Sequence, residues 1–189
     1  MSDLGTAYLT DLRERMRGVK ALGEGALDQL DDHEWHGVLG PEGNSAAVLV
    51  QHLSGNMHSR WGALRNGFTA GVEAETSGRH RDAEFEDGAR TPGELRRRWE
   101  DGWAVFLDAV DHLRPEDLAR ELTIRGEAHS VLAALQRQVA HYSGHVYQLV
   151  FLAKTLRGAG WQTLSIPRAR AAGDIQADMT GSDTKNDAP

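Results

Sequence analysis

Residues 130–156 read SVLAALQRQVAHYSGHVYQLVFLAKTL, and this stretch decides the fold. Its apolar side chains recur at steps of three and four residues, which is the period of one face of an α-helix. Two glycines, Gly158 and Gly160, follow it and favour a helix end. The stretch therefore predicts a long amphipathic helix whose buried face consists of Val131, Leu135, Val139, Tyr142, Val146, Leu149 and Leu156.

Three earlier segments repeat the same period, at roughly 3–30, 44–65 and 91–112. The third segment has the clearest start, because Thr91 is a natural N-cap, Pro92 suits the first helical position and Glu94 completes a capping box. Four amphipathic helices in one chain are typical of a helical bundle. The fold class we predict is all-α, an antiparallel four-helix bundle spanning residues 1–170.

The segments between and after these helices lack periodicity. Residues 66–90 form a long polar connection between the second and third helices, and a loop of this length is often functional or mobile. Residues around Gly126, from 122 to 130, indicate a turn or a short extended connection. Residues 171–189 are small and polar, so we predict a disordered C-terminal tail.

Composition excludes several functional classes. The chain has 189 residues, no cysteine and a net charge of -7, so it has neither disulfides nor thiolate metal ligands, and nucleic acid is not an expected partner. No apolar run approaches the roughly 20 residues of a membrane span, and the N-terminus lacks the apolar core of a secretory signal. We expect a cytoplasmic protein that acts on a small molecule, without a membrane or nucleic-acid partner.

The fourth segment carries a polar strip beside its apolar face. His141 and His145 lie four residues apart and project from one side of a helix, with Gln138 three residues before them and Gln148 three residues after. A polar strip next to a core needs partners, and two neutral imidazoles at this spacing can share one metal ion. The same residues are also compatible with hydrogen-bonded core histidines that bind no metal.

The second segment offers a matching strip in which His52, Asn56 and Arg60 recur every four residues. His52 can meet the pair across the bundle, and three histidines leave coordination positions open, as catalytic sites do. Imidazoles suit zinc, nickel, iron or copper, and we expect zinc, nickel or iron. His58 is a rival ligand that points elsewhere on the helix. We interpret the remaining histidines as surface residues: His33, His36, His80, His112 and His129.

Five blocks, in order, resemble one known family. They are VQHLSGNMHSRW at 50–61, RHRDAEFE at 79–86, WEDGW at 99–103, AHYSGH at 140–145 and LSIPR at 164–168. Over roughly residues 3–170 the chain resembles the DinB-like (YfiT-like) superfamily of metalloenzymes, and it is most similar to an uncharacterised subgroup.

The resemblance implies a four-helix bundle that frequently forms homodimers. It also implies a three-histidine metal site with one ligand on the second helix and two on the fourth, at His52, His141 and His145. Relatives include transferases that use low-molecular-weight thiols such as bacillithiol or mycothiol, and a maleylpyruvate isomerase. Relatives often carry a small residue two positions after the last histidine. This chain has Tyr147 there, which we expect to narrow the pocket.

These observations lead to two functional hypotheses. The first is a metal-dependent transferase, moving a low-molecular-weight thiol supplied from solution, or a hydrolase. Gln138, Gln148 and Asn56 would then orient the imidazoles, and Arg60, with Arg79 or Arg81, would hold an anionic substrate or thiol co-substrate. The alternative is a non-catalytic dimeric helical bundle with a structural or vestigial metal. It is favoured because no carboxylate lies at helical spacing beside the histidines.

Overall fold

The structure of the chain is a computed structural model, and it describes residues 4–64, 82–86, 88 and 90–165. Four long helices dominate it: α1 (Leu4–Leu27), α2 (Ala46–Trp61), α3 (Pro92–His112) and α4 (Val131–Arg157). A two-stranded antiparallel sheet, β1 (Glu121–Ile124) and β2 (Glu127–Ser130), lies between α3 and α4 in sequence. The mostly helical class and the extents of the four helices agree with the sequence prediction to within a few residues.

The start of α3 shows how local sequence sets a helix boundary. The Thr91 hydroxyl accepts a hydrogen bond from the Glu94 backbone N–H at 3.3 Å, and the Glu94 carboxylate accepts one from the Thr91 N–H at 2.8 Å. Pro92 occupies the first turn, where its missing N–H has no helical partner to lose. The predicted capping box is therefore confirmed.

The four helices share one core. Among the described residues, α2 packs mainly against α3 and α1 mainly against α4, while α2–α4 and α1–α3 also touch. The centre is aromatic: Trp103, Phe106 and Tyr142 form edge-on or tilted pairs with ring centroids 5.1–6.0 Å apart, and Trp61 joins through Phe106. Trp61, Trp99, Trp103 and Tyr142 are all buried, and the predicted burial of Tyr142 is therefore confirmed.

The stretch before α4 is more regular than a simple connection. Glu121 pairs with Ser130 and Ile124 with Glu127, which leaves Arg125 and Gly126 as a two-residue turn. Both have positive φ, 56° and 76°, as the turns that match strand twist require. The predicted extended connection is thus a β-hairpin, a small departure from a purely helical chain.

Several predicted features lie outside the described residues: the tail at 171–189, most of the connection at 66–90, and Arg79, His80 and Arg81. Within the part of the chain that is described, no helix combines the length and the apolar character needed to cross a bilayer.

Close packing of α2 on α3 generates the first prediction. A Cβ at Gly102 would lie 2.8 Å from the Ser54 Cα, a backbone atom that cannot move alone. We expect Gly102→Ala to lower the free energy of unfolding by about 1–3 kcal/mol, because the helices must separate. Gly18→Ala is the matched control: nothing lies within 4 Å, so we expect it to stabilise by about 0.5–1 kcal/mol. Urea denaturation measures both, and equal effects would contradict the packing argument.

Candidate metal centre

Three imidazoles meet between α2 and α4. His52 comes from α2, and His141 and His145 come from successive turns of α4. Their ring centroids lie 4.7–5.1 Å apart. One nitrogen from each ring can be chosen so that all three lie within 4.8 Å of one another, so the group could hold a metal ion. The structure therefore brings together the three histidines that the sequence analysis selected.

The outward nitrogen of each ring faces a hydrogen-bond acceptor. His52 Nδ1 lies 3.2 Å from Glu84 Oε2, His141 Nδ1 3.3 Å from Gln138 Oε1, and His145 Nδ1 3.1 Å from Gln148 Oε1. Oxygen acceptors at Nδ1 favour the tautomer in which Nδ1 carries the proton and donates it. Each ring then presents an unprotonated Nε2, which is the form that binds metal.

The spacing of the inner nitrogens suits a cation. His52 Nε2 and His141 Nε2 are 3.1 Å apart. If both Nδ1 atoms carry protons, two lone pairs face each other at this distance, and they repel unless a cation or a proton lies between them. A tetrahedral zinc ion with Zn–N bonds of about 2.05 Å separates its ligand nitrogens by about 3.3 Å. The donor set and the His52–His141 spacing therefore suit a divalent metal, and all three rings offer a nitrogen within 4.8 Å of the others.

Burial favours the neutral form of His145. Loss of solvent lowers the pKa of His145, and the neighbouring His52 lowers it further, whereas the hydrogen bond to Gln148 acts in the opposite direction. A neutral imidazole is the ligand form, because a protonated ring has no lone pair for a metal. The environment of His145 therefore favours the state that coordination needs.

Glu84 is the site residue that sequence reasoning missed. It lies in a short 3₁₀ turn, Asp82–Glu84, within the connection between α2 and α3, and the next residue, Phe85, places its ring 4.8 Å from the His52 ring. Gly55 makes room for the carboxylate: a Cβ there would lie 2.7 Å from Glu84 Cδ. The acidic run at 82–86 was a signal, but no helical spacing connects it to His52.

A cavity of about 310 Å³ opens beside the three imidazoles. Arg60 is almost fully buried and reaches it from α2. The cavity is lined by His52, Asn56, Arg60, Phe85, Arg125, Arg137, Gln138, His141 and His145. Arg125 and Arg137 were not anticipated, whereas Arg79 and Arg81 fall outside the described residues.

Asn56 has a different role from the one predicted. Its Oδ1 accepts a hydrogen bond from the Tyr142 hydroxyl at 3.0 Å, and that hydroxyl accepts one from Trp61 Nε1 at 3.1 Å. Asn56 therefore connects α2 to α4 one helical turn from His52, instead of orienting an imidazole. Because its oxygen is engaged, the amide N–H₂ is the group that it offers to the cavity.

Two other expectations can be compared with the structure. The expectation that Tyr147 narrows the pocket is wrong: its side chain is 61% exposed and does not line the cavity. His58 faces a separate, more open cleft between α2 and α3, of about 590 Å³, together with Arg90, Arg97 and Asp101. It does not join the three-histidine group, as expected for a residue six positions after His52.

The sequence was also compared with known proteins. A sequence model of the family described as "Protein of unknown function (DUF1572)" matches residues 3–170, which is most of the chain. No curated protein and no solved structure gave a match.

The Glu84 contact generates the second prediction. Replacing an outer hydrogen-bond partner of a metal-binding histidine typically costs about 10–100-fold in metal affinity. We expect Glu84→Gln to weaken zinc binding by this amount, and Gly55→Ala to do so as well, because the added methyl group displaces the carboxylate. Competition with a fluorescent zinc chelator gives the affinities.

The matched control is Gly62→Ala, the same substitution at the end of the same helix, where nothing lies within 4 Å. We expect it to keep the wild-type affinity. Wild-type zinc affinity in Gly55→Ala would show that Glu84 does not hold His52 for coordination.

Proposed function

The chain belongs to the DUF1572 family of proteins of unknown function, and we propose that it is a metal-dependent enzyme acting on a small molecule. The observation that carries the proposal is the convergence of His52, His141 and His145, each with its Nδ1 facing an oxygen acceptor. This arrangement would hold a divalent ion such as zinc, nickel or iron through three Nε2 atoms.

The proposal includes the finer description of the fold. We propose that the four helices form an antiparallel bundle of the DinB-like type, within residues 1–170. Its support is the placement of one histidine on the second helix and two on the fourth, which is the pattern that the resemblance implies. The contacts of α2 with α4, which bring these histidines together, are compatible with that topology.

The proposed chemistry is transfer of a low-molecular-weight thiol, or hydrolysis. A divalent metal with three protein ligands supplies Lewis acidity and lowers the pKa of a water or thiol at an open position. The thiol must come from solution, because the chain has no cysteine. The three imidazoles would fix the position of the metal, and Arg60 and Asn56 would present donors to whatever occupies the cavity.

One observation favours a second function, a non-catalytic dimeric bundle with a structural metal. Among the described residues that line the cavity there is no carboxylate to act as a general base. Glu84 lies behind the His52 ring, where its Oε2 is engaged with Nδ1. The proposed homodimer has support from Tyr147 and Phe151, two aromatic side chains one turn apart on α4 that are 61% and 66% exposed.

The third prediction concerns metal binding. We expect the untagged protein to bind about one zinc ion per chain and His141→Ala to lose it, with elemental analysis as the measurement. A ligand present at about 100 times its Kd adds about 2.7 kcal/mol of stability, which for a chain of this size raises Tm by about 5–10 °C. His58→Ala is the control and should keep both effects. A wild-type Tm unaffected by zinc and by chelation would contradict the proposed centre.

The fourth prediction separates the two functions. We expect the metal-loaded protein to accelerate conjugation of N-acetylcysteine to monochlorobimane, or hydrolysis of p-nitrophenyl acetate, and His141→Ala to lose metal and activity together. His58→Ala should retain both. Activity that persists in metal-free His141→Ala would refute the metal-dependent enzyme, and stoichiometric metal without turnover of either probe would favour the structural alternative.

A further inference from the structure

Three arginines from three different elements line the cavity beside the histidines: Arg60 from α2, Arg125 from the β-hairpin turn and Arg137 from α4. None of the described residues in the lining is acidic. The chain as a whole carries a net charge of -7, whereas three guanidinium groups make the charged side chains of this cavity positive. A concave region lined by one sign of charge concentrates ligands of the opposite sign.

The backbone at Arg125 makes this residue unusual. It occupies the first central position of the two-residue turn between β1 and β2, with φ of 56°. Turns of this kind favour asparagine, aspartate or glycine there, because a long L side chain at positive φ is strained. Gly126, at φ 76°, is the ordinary choice for the second position. Strained residues of this sort concentrate at ligand-binding sites, and the side chain of Arg125 reaches the cavity.

The chemistry of arginine narrows the ligand class. A guanidinium group is planar and permanently charged, and it offers paired donors that match the two oxygens of a carboxylate or the oxygens of a phosphate. Arg60 is only 3% exposed, so its charge acts in a partly desolvated setting where it is poorly screened. The volume of about 310 Å³ lies at the lower end of the range for ligand pockets, which indicates a small molecule.

We propose that this cavity is an oxyanion subsite. The small molecule that it accepts carries a carboxylate or phosphate group, held by Arg60, Arg125 and Arg137 next to the histidine centre. The proposal rests on the proposed function in one respect, namely that the cavity is where the enzyme's substrate binds. Binding of the anion itself depends on arginines and requires no metal.

The test uses the full-length protein after chelation and dialysis, so that an anion cannot bind through a metal. Inorganic phosphate and succinate are titrated separately by isothermal calorimetry at low salt, because exposed charges are screened as salt rises. Succinamide, the uncharged analogue, is the ligand control. We expect one or both oxyanions to bind, succinamide not to bind, and the tighter of the two to identify the preferred group.

Variants of Arg125 provide the decisive comparison. Arg125→Gly removes the guanidinium, so we expect anion affinity to fall about tenfold. Arg125→Lys keeps the charge and the strain but loses the paired donors. We expect its anion affinity to be intermediate between those of the wild type and Arg125→Gly. Arg17→Gln, on the exposed face of α1, should leave anion affinity unchanged.

The outcomes are distinguishable from those of the metal experiments. Unchanged anion affinity in folded Arg125→Gly would overturn the subsite. Wild-type protein that binds zinc but neither oxyanion also overturns it, while leaving the metal centre intact. Oxyanion binding by a protein that takes up no metal would support the subsite and contradict the proposed metal-dependent function.

Discussion

Each imidazole at the centre of this protein has two nitrogens, and burial requires that both be accounted for. The outward nitrogens have oxygen partners, supplied by Gln138 and Gln148 within α4 and by Glu84 from outside the helices. The inner nitrogens of His52 and His141 then face each other at 3.1 Å. If both Nδ1 atoms carry protons, these inner nitrogens repel in a partly desolvated interior unless a cation or a proton lies between them. The proposed metal chemistry follows from this constraint.

The packing of the helix core sets the distance between α2 and α4, and therefore the distance between His52 and the two histidines of α4. Tyr142, the neighbour of His141, hydrogen-bonds to Asn56, one turn along α2 from His52, and also accepts from Trp61. On its other side α2 is held close to α3, where Gly102 leaves no room for a side chain against Ser54. The three imidazoles are therefore positioned by an aromatic core and by hydrogen bonds between elements, which is what the proposed metal centre would require.

What the sequence could predict depended on local periodicity. A spacing of four residues placed His141 and His145 on one face, and the same period on α2 selected His52, because helical geometry converts sequence spacing into direction. Glu84 escaped prediction because no period connects an irregular loop to a helix 32 residues away. Arg125 was not predicted for a related reason. Its position relative to the cavity depends on a β-hairpin, and the first position of that turn lacks the asparagine, aspartate or glycine that would have indicated it. The partner of Asn56 lies 86 residues away and is set by tertiary packing alone.

Electrostatic interaction links a metal bound at the histidines to the arginines that line the same cavity. Imidazoles in their metal-binding form contribute no compensating charge. Glu84 is the one carboxylate among the described residues that contacts a histidine of the group. A divalent ion would add two positive charges to a cavity already lined by Arg60, Arg125 and Arg137. Arg125 and Arg137 are exposed, so repulsion of the metal is strongest at the buried Arg60, and an anion that enters with the metal reduces this repulsion. An anionic ligand would therefore stabilise metal in the centre, and metal would stabilise the anion, because thermodynamic coupling between two sites is reciprocal.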